Sequence, residues 1–202
     1  VFLARVIIGL TGLIGSGKTT VLNVFEKKYN YKIFNSDLCV ADLMQNNSSV
    51  IKKISSKFKE TLVNNKIDKK ILRQIVYNDY INNIEIVEKI VVPFVVKDLK
   101  SFIKEHKKNN IIIEAPLLFE SKIDELCDFI ILTQCPKTEQ VKRVLERDKM
   151  PESVLKAILK KQGPNSKFKK PEYKRQIDFY LDTNITIGKL EQKIAKIVKD
   201  IS

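Results

Sequence analysis

Apolar residues along the chain fall into short runs separated by stretches of helical periodicity. This alternation predicts an α/β fold with a parallel sheet rather than a helical bundle or a β-sandwich. Strands are predicted at Val6–Leu10, Lys32–Asn35, Asn110–Ala115, Phe129–Thr133 and Phe179–Ile187. Between the first two, Val21, Leu22, Val24 and Phe25 share one face of a helix predicted from Lys18 to Tyr29. Residues 38–107 hold no convincing strand. Their pattern predicts helices near Asp37–Gln45, Ser49–Val63, Asp68–Asn78 and Asn83–His106, broken by Asn-rich turns. A helical stretch follows over Lys137–Gln162, with an interruption near Met150–Pro151. A last helix spans Gly188–Ile201, with Leu190, Ile194, Ile197, Val198 and Ile201 along one face. The picture is a strand-rich core with one helical insertion after the second strand and a second, basic one after Thr133.

Length and composition narrow the function classes. With 202 residues, 44% of them apolar, there is material for one α/β core with small appended subdomains, and wholesale disorder is excluded. No apolar run approaches the ~20 residues of a membrane span. The apolar start, Val1–Ala4, leads straight into a strand without the long apolar stretch of a signal peptide. Thirty-seven Lys and Arg against 24 Asp and Glu leave a formal charge of +13, which favours polyanionic partners such as nucleotides, phosphorylated cofactors, nucleic acid or anionic membrane. A single histidine, His106, nearly excludes a His-based triad or a multi-His metal site. Three scattered cysteines, Cys39, Cys127 and Cys135, do not make a disulfide framework or zinc knuckle, so they are expected as small reduced hydrophobes.

Chemistry concentrates at the end of the first strand. Gly12-Leu13-Ile14-Gly15-Ser16-Gly17-Lys18-Thr19 fits G-x-x-x-x-G-K-[ST] at every fixed position, between an apolar strand and an amphipathic helix. Glycines let the backbone wrap closely, so that amide N–H groups face phosphate oxygens at a helix N-terminus. Lys18, expected to face a solvent-filled cleft, is placed to reach the β- and γ-phosphates, and the Thr19 hydroxyl to ligate Mg²⁺. This P-loop implies a nucleoside triphosphate. Asn65-Lys66-Ile67-Asp68 has the form of the guanine-reading N-K-x-D of GTPases. It precedes the Ile111–Ile113 strand, however, and no D-x-x-G accompanies it, so a solvated turn is expected.

Four further features each admit two roles. Glu114, ending the Ile111–Ile113 strand, is a candidate for Mg²⁺ or its water shell, or a structural carboxylate. Leu117–Phe119 after it line a pocket or plug the core. Asp37, ending the second strand near the mouth where open α/β sheets bind ligands, is either a catalytic base or the N-cap of the next helix. Arg143 and Arg147, four apart on one helix face, begin the most basic part of the chain, which carries eight basic residues and one acidic one between Lys156 and Arg175. Such a run is a solvated face or a phosphate-capture surface, for which the arginine fork is suited.

Together these motifs resemble the dephospho-coenzyme A kinase family. Gly9-Leu10-Thr11-Gly12-Leu13-Ile14-Gly15-Ser16-Gly17-Lys18-Thr19-Thr20 matches its opening, Pro116-Leu117-Leu118-Phe119-Glu120 is its P-L-L-F-E, and Gln140, Arg143 and Arg147 match its Q-x-x-R-x-x-x-R. Gln162 resembles a later lid glutamine. Asn35-Ser36-Asp37 keeps only the last carboxylate of D-A-D, and Ile177–Thr183 is a worn form of A-D-x-x-I-D-N. Val92 stands in place of the His of a His-Pro pair, Lys69 in place of an Arg, and Thr183 in place of an Asn near the nucleotide base.

The resemblance implies an α/β P-loop kinase core with a parallel five-stranded sheet, formed by residues 1–37, 109–136 and 176–202. A helical insertion, residues 38–108, would bind the acceptor, and residues 137–175 would form a basic helical lid. It implies transfer from ATP, with Mg²⁺, to the ribose 3′-hydroxyl of dephospho-CoA, the final step of coenzyme A synthesis. Asp37, Lys18 and Arg147 would be catalytic. Gly12, Gly15, Ser16, Gly17, Lys18, Thr19, Thr20 and Arg143 would bind ATP, and Thr11, Asp37, Leu117 and Leu118 the acceptor. Thr19, and Glu114 through water, would hold the metal. A cytoplasmic monomer with no specific nucleic-acid or membrane partner is expected. The rivals are another P-loop small-molecule kinase and a basic nucleic-acid-binding protein that uses ATP as a switch.

Overall fold

A computed structural model describes residues 5–148, 150–163, 168, 173 and 176–201. In chain order the elements are β1 (Ile7–Thr11), α1 (Lys18–Tyr29), β2 (Lys32–Asn35), α2 (Ser36–Asn46), α3 (Ser48–Lys57), β3 (Leu62–Val63), β4 (Lys66–Ile67), α4 (Lys69–Asn78) and α5 (Tyr80–Glu105). After them come β5 (Ile111–Glu114), β6 (Phe129–Gln134), α6 (Lys137–Asp148), α7 (Glu152–Gln162), β7 (Phe179–Asp182) and α8 (Ile187–Ile201). The main sheet has five strands, ordered β2-β5-β1-β6-β7, and every pairing is parallel.

Strand alternation explains the layering. On one face of the sheet Ile7, Phe34, Ile111, Ile113, Ile130 and Leu132 pack beneath the insertion helices. On the other face Ile8, Leu10, Ile112, Ile131 and Leu181 meet α1 and α8. Every residue of β1 is buried, as expected of a central strand with both faces covered. Both flanking helices owe their position to spacing: Val21, Leu22, Val24 and Phe25 turn inward on α1, and Leu190, Ile194, Ile197 and Ile201 on α8. In α5 a buried ridge at i, i+4 spacing, Val87, Val91, Val95 and Leu99, continues through Pro93, which is exposed. No helix among the described residues is long and apolar enough to cross a membrane.

Three expectations need correction. The helix over Ser49–Val63 ends at Lys57; a 3-10 turn over Lys59–Thr61 and the two-residue hairpin β3–β4 replace its last turns. Asn64 and Asn65 adopt left-handed φ of 49° and 60°, which closes the hairpin, so residues 38–107 do contain strands. The Asn65–Asp68 tetrapeptide is this hairpin and the start of α4, where Asp68 accepts from the amides of Lys70 and Ile71. The last strand stops at Asp182, and its helix begins at Ile187. Most of the basic run beyond Gly163, and Lys149, lie outside the described residues.

Candidate active site

All five strands of the main sheet end at one edge, and the residues that follow β1, β2, β5 and β7 line a single crevice there. A cavity of about 1060 Å³ opens there, walled by the P-loop, the starts of α1 and α2, the Glu114–Leu117 turn, α5, α6 and α7. Gly12, Gly15, Ser16, Gly17, Lys18, Thr19, Thr20, Asp37, Glu114, Leu117, Arg143 and Arg147 all line it.

The P-loop has its shape because two glycines have no alternative. Gly15 and Gly17 sit at φ +74° and +86°; a Cβ would come 2.6 Å from the Gln140 carbonyl oxygen at the first and 2.8 Å from the Thr183 hydroxyl at the second. Hydroxyls brace the loop from beneath. Ser16 Oγ and Thr133 Oγ1 share a hydrogen bond of 2.7 Å, and Thr133 reaches the Thr11 carbonyl at 3.2 Å. Ser16 is wholly buried, so its side chain is a strut, and only its main chain can serve a ligand.

Lys18 does not stand in open solvent. Its side chain is 12% exposed and its ammonium donates to the carbonyls of Gly12 (3.0 Å) and Leu13 (3.4 Å). Glu114 Oε1 lies 3.8 Å from Lys18 Nζ, and Glu114 Oε2 accepts from the Asn35 amide at 2.8 Å. Burial pushes the Glu114 carboxyl up to about 7, with Lys18 pulling the other way. Burial likewise draws the Lys18 ammonium below its ordinary value, and Glu114 and Asp37 oppose that shift.

Asn35 settles one of the two roles open to Asp37. The N-cap of α2 is Asn35, whose Oδ1 accepts from the Leu38 amide at 2.9 Å. Asp37 lies in the first turn of α2, exposed, and it acts electrostatically on Lys18, Glu114 and Arg147. Its carboxylate is therefore free of capping duty. Asn35 looked in the sequence like a lost carboxylate, and its double role was not legible there.

The two arginines of α6 are held differently. Arg147 forms a fork to the adjacent Asp148, with both bonds at 2.6 Å, and its side chain is 61% exposed at the cavity. That pairing raises its pKa. Arg143 instead donates to the Thr183 hydroxyl and carbonyl, each at 3.2 Å, and lies 3.7 Å from Glu139. Helix α7 touches both walls at its last turn. Gln162 Oε1 accepts from the Ile14 amide at 2.9 Å, and Lys161 meets Glu88 of α5 at 2.6 Å. Neither Lys161 nor Glu88 carried a motif that singled it out.

Some expected residues fall elsewhere. Thr11 is buried in β1 and Leu118 is fully buried in the core, packed beside Gly9; neither is among the cavity-lining residues. Leu117 lines the cavity, so the P-L-L-F-E segment both lines the pocket and plugs the core. Val92 lines the cavity, whereas Lys69 is exposed at the start of α4 and is not among its lining. Residues 65–68 are not among them either, which removes the basis for guanine reading. The thiols of Cys39 and Cys127 are pushed up to about 12, chiefly by burial, as suits inert core sulfur.

Among the described residues no group of three or more His, Cys, Asp or Glu side chains gathers as a metal cage. Thr19 and Glu114 offer a hydroxyl and a carboxylate on one cavity. That sparse oxygen set fits Mg²⁺, which is usually held by one or two carboxylates with waters and substrate phosphates.

Comparison with known proteins agrees with this geometry. A family model described as dephospho-CoA kinase matches residues 6–184. A dephospho-CoA kinase of Fusobacterium nucleatum is 33% identical over 198 residues, 96% of this chain and 98% of that protein. Among solved structures, a Thermus thermophilus protein superposes with a TM-score of 0.75 at 26% identity, covering 98% of this chain and 99% of that one. The dephospho-CoA kinase of Campylobacter jejuni, at 24% identity and a TM-score of 0.62 over 98% of both chains, shares the fold.

Proposed function

The chain belongs to the dephospho-CoA kinase family, and from that premise we propose that it transfers the γ-phosphoryl group of ATP to the ribose 3′-hydroxyl of dephospho-CoA. One observation supports this reading above the rest. Lys18, Glu114 and Asp37 meet electrostatically at one cavity, which both lid arginines and the insertion helix α5 also line.

The residues divide the work as follows. P-loop amides and Lys18 hold the donor's phosphates, and Arg143 grips a phosphate that is not transferred. Arg147 stabilises charge on the moving phosphoryl group. Asp37 accepts the proton of the attacking hydroxyl; its exposed position in the first turn of α2 leaves the carboxylate available. The apolar ridge of α5, including Val87, Val91 and Val95, walls the acceptor end with Leu117. Residues 38–108 would thus serve the acceptor, and residues 137–175 would be the lid. Thr19, and Glu114 through water, would hold Mg²⁺. That ion neutralises charge on phosphate oxygens when bound. Since donor and acceptor are soluble polyanions, the +13 chain is proposed to act in the cytoplasm, as a monomer.

A coupled ADP-release assay over dephospho-CoA, adenosine, nucleoside monophosphates and shikimate tests this. Turnover with dephospho-CoA and little with the others is expected. Preference for another acceptor would move the chain to the rival small-molecule kinases. Tight RNA or DNA binding at physiological salt without acceptor turnover would favour the nucleic-acid reading.

A further inference from the structure

Thr183 stands where the resemblance leads to an asparagine near the nucleotide base, yet its side chain is committed elsewhere. The residue is 7% exposed. Its hydroxyl lies 2.8 Å from the Ser16 carbonyl and 3.3 Å from that of Gln134, and it accepts from Arg143 Nη1 at 3.2 Å. A hydroxyl has one proton to give, and the shorter bond, to Ser16, is the better claim on it. Its lone pairs then serve Arg143. The Cys135 thiol also approaches it. The main chain adds two contacts: the Thr183 amide donates to Gln134 at 2.9 Å, and its carbonyl accepts from Arg143 Nη2 at 3.2 Å. On its other side Thr183 abuts Gly17, where no side chain fits.

These contacts join two parts that the sequence keeps far apart. Ser16 belongs to the P-loop, whose amides surround phosphate oxygens, and Arg143 belongs to lid helix α6. One buried hydroxyl touches both. An arginine two rotatable bonds out of place cannot form paired bonds to a phosphate, so its registration to the P-loop matters more than its charge.

We propose that Thr183 is a positioning residue for ATP: its hydroxyl ties the guanidinium of Arg143 to the Ser16 carbonyl, and so sets the arginine against the P-loop. This rests on the reading of the cavity as an ATP site and assigns Thr183 no contact with the base. The acceptor end of the cavity is not involved.

The test is calorimetric titration of ATP with magnesium into the wild type, Thr183→Val, Thr183→Ser, Arg143→Ala and the double variant Thr183→Val/Arg143→Ala, with KM measured for both substrates. Valine keeps the shape and the main-chain carbonyl but removes the hydroxyl. Because the Nη2 bond survives, ATP affinity is expected to fall about tenfold, or about 1.4 kcal/mol. The KM for ATP should rise in step while the KM for dephospho-CoA stays unchanged. Serine should restore ATP binding. In the Arg143→Ala background the valine substitution should have little further effect, because the two residues act as one unit.

Equal losses for both substrates, full additivity with Arg143→Ala, or a serine variant as weak as the valine one would each overturn the proposal. Should Thr183→Val not fold, Thr183→Ala deletes the same hydroxyl and carries the same expectations. Wild-type protein that binds no ATP would overturn the underlying reading. Wild-type binding with an unaffected valine variant would overturn only the role of Thr183.

Discussion

Lys18 and Glu114 form a buried ion pair at the limit of contact: Nζ and Oε1 are 3.8 Å apart, with 12% and 7% of their side chains exposed. The lysine that would bind phosphate is thus also a counter-ion inside the protein. Lys18→Ala should nearly abolish turnover, since the cation that neutralises transition-state charge is gone. Activity within about tenfold of wild type would mean less than about 1.4 kcal/mol of transition-state stabilisation, too little for that role. The same substitution should also lower thermal stability, but modestly. Removing one partner of a buried pair can cost about 3–5 kcal/mol, yet Glu114 can take up a proton and escape most of that penalty.

Asp37→Asn separates chemistry from folding. The helix in whose first turn it lies is capped by Asn35, so the melting temperature should stay near that of wild type. Turnover should fall by about 10²–10⁴, the usual worth of a general base, with ATP affinity little changed. A variant with normal turnover per folded molecule would deny Asp37 that role.

Glu114 should leave a signature in stability against pH. Its carboxyl titrates near 7 in the folded protein and near 4.5 when unfolded, because burial penalises the anion. Between those values the native state holds the proton and the unfolded state has lost it. Stability therefore falls as pH rises from about 4.5 to 7 and then levels off. In protein stripped of metal and nucleotide, Glu114→Gln should flatten this trend, because the titrating carboxyl is gone. Urea titrations at pH 5 and pH 8 measure it. A wild type that gains stability over that interval through Glu114 would contradict the burial argument.

The two arginines of α6 should fail in different ways. Arg147 is exposed at the cavity and, among the described residues, is held by its neighbour Asp148, while Arg143 is fixed against Thr183. Arg147→Ala should lower kcat strongly, somewhat below the ~10³–10⁵ seen for arginines that stabilise a transferring phosphoryl group, with no loss of stability. Arg147→Lys, retaining charge without the fork, should fall between. Arg143→Ala should mainly raise the KM for ATP. Equal, mild effects in steady-state kinetics of all three variants would reduce this part of α6 to a solvated basic face.

How far the sequence reaches depends on the distance over which each feature is encoded. The P-loop is local: Gly12 to Thr19 specify their own turn and the helix that follows, so the site's anchor was legible. A parallel five-stranded sheet was implied by resemblance, but its strand order was not legible, because it rests on long-range pairings such as Gly9 with Ile113 and Ile130. Side-chain partnerships across elements were not legible. Asn35 caps its own helix locally, but its bond to Glu114 spans 79 residues, and the Lys161–Glu88 pair spans 73. The Asn64–Asn65 hairpin was missed because two-residue strands carry too little periodicity to compete with the helical pattern around them. Thr183 was placed near the nucleotide base only by resemblance, as the replacement of an Asn, and nothing in the sequence showed that its hydroxyl turns towards the P-loop.

The most direct test of the central claim is the identity of the product. The purified chain, incubated with ATP, Mg²⁺ and dephospho-CoA, should yield a species heavier by one HPO₃ in mass spectrometry, with fragmentation placing the phosphate on the ribose 3′-oxygen. ADP should form in equal amount, and both products should vanish with Lys18→Ala. Unmodified dephospho-CoA alongside phosphorylation of a different acceptor would contradict the account.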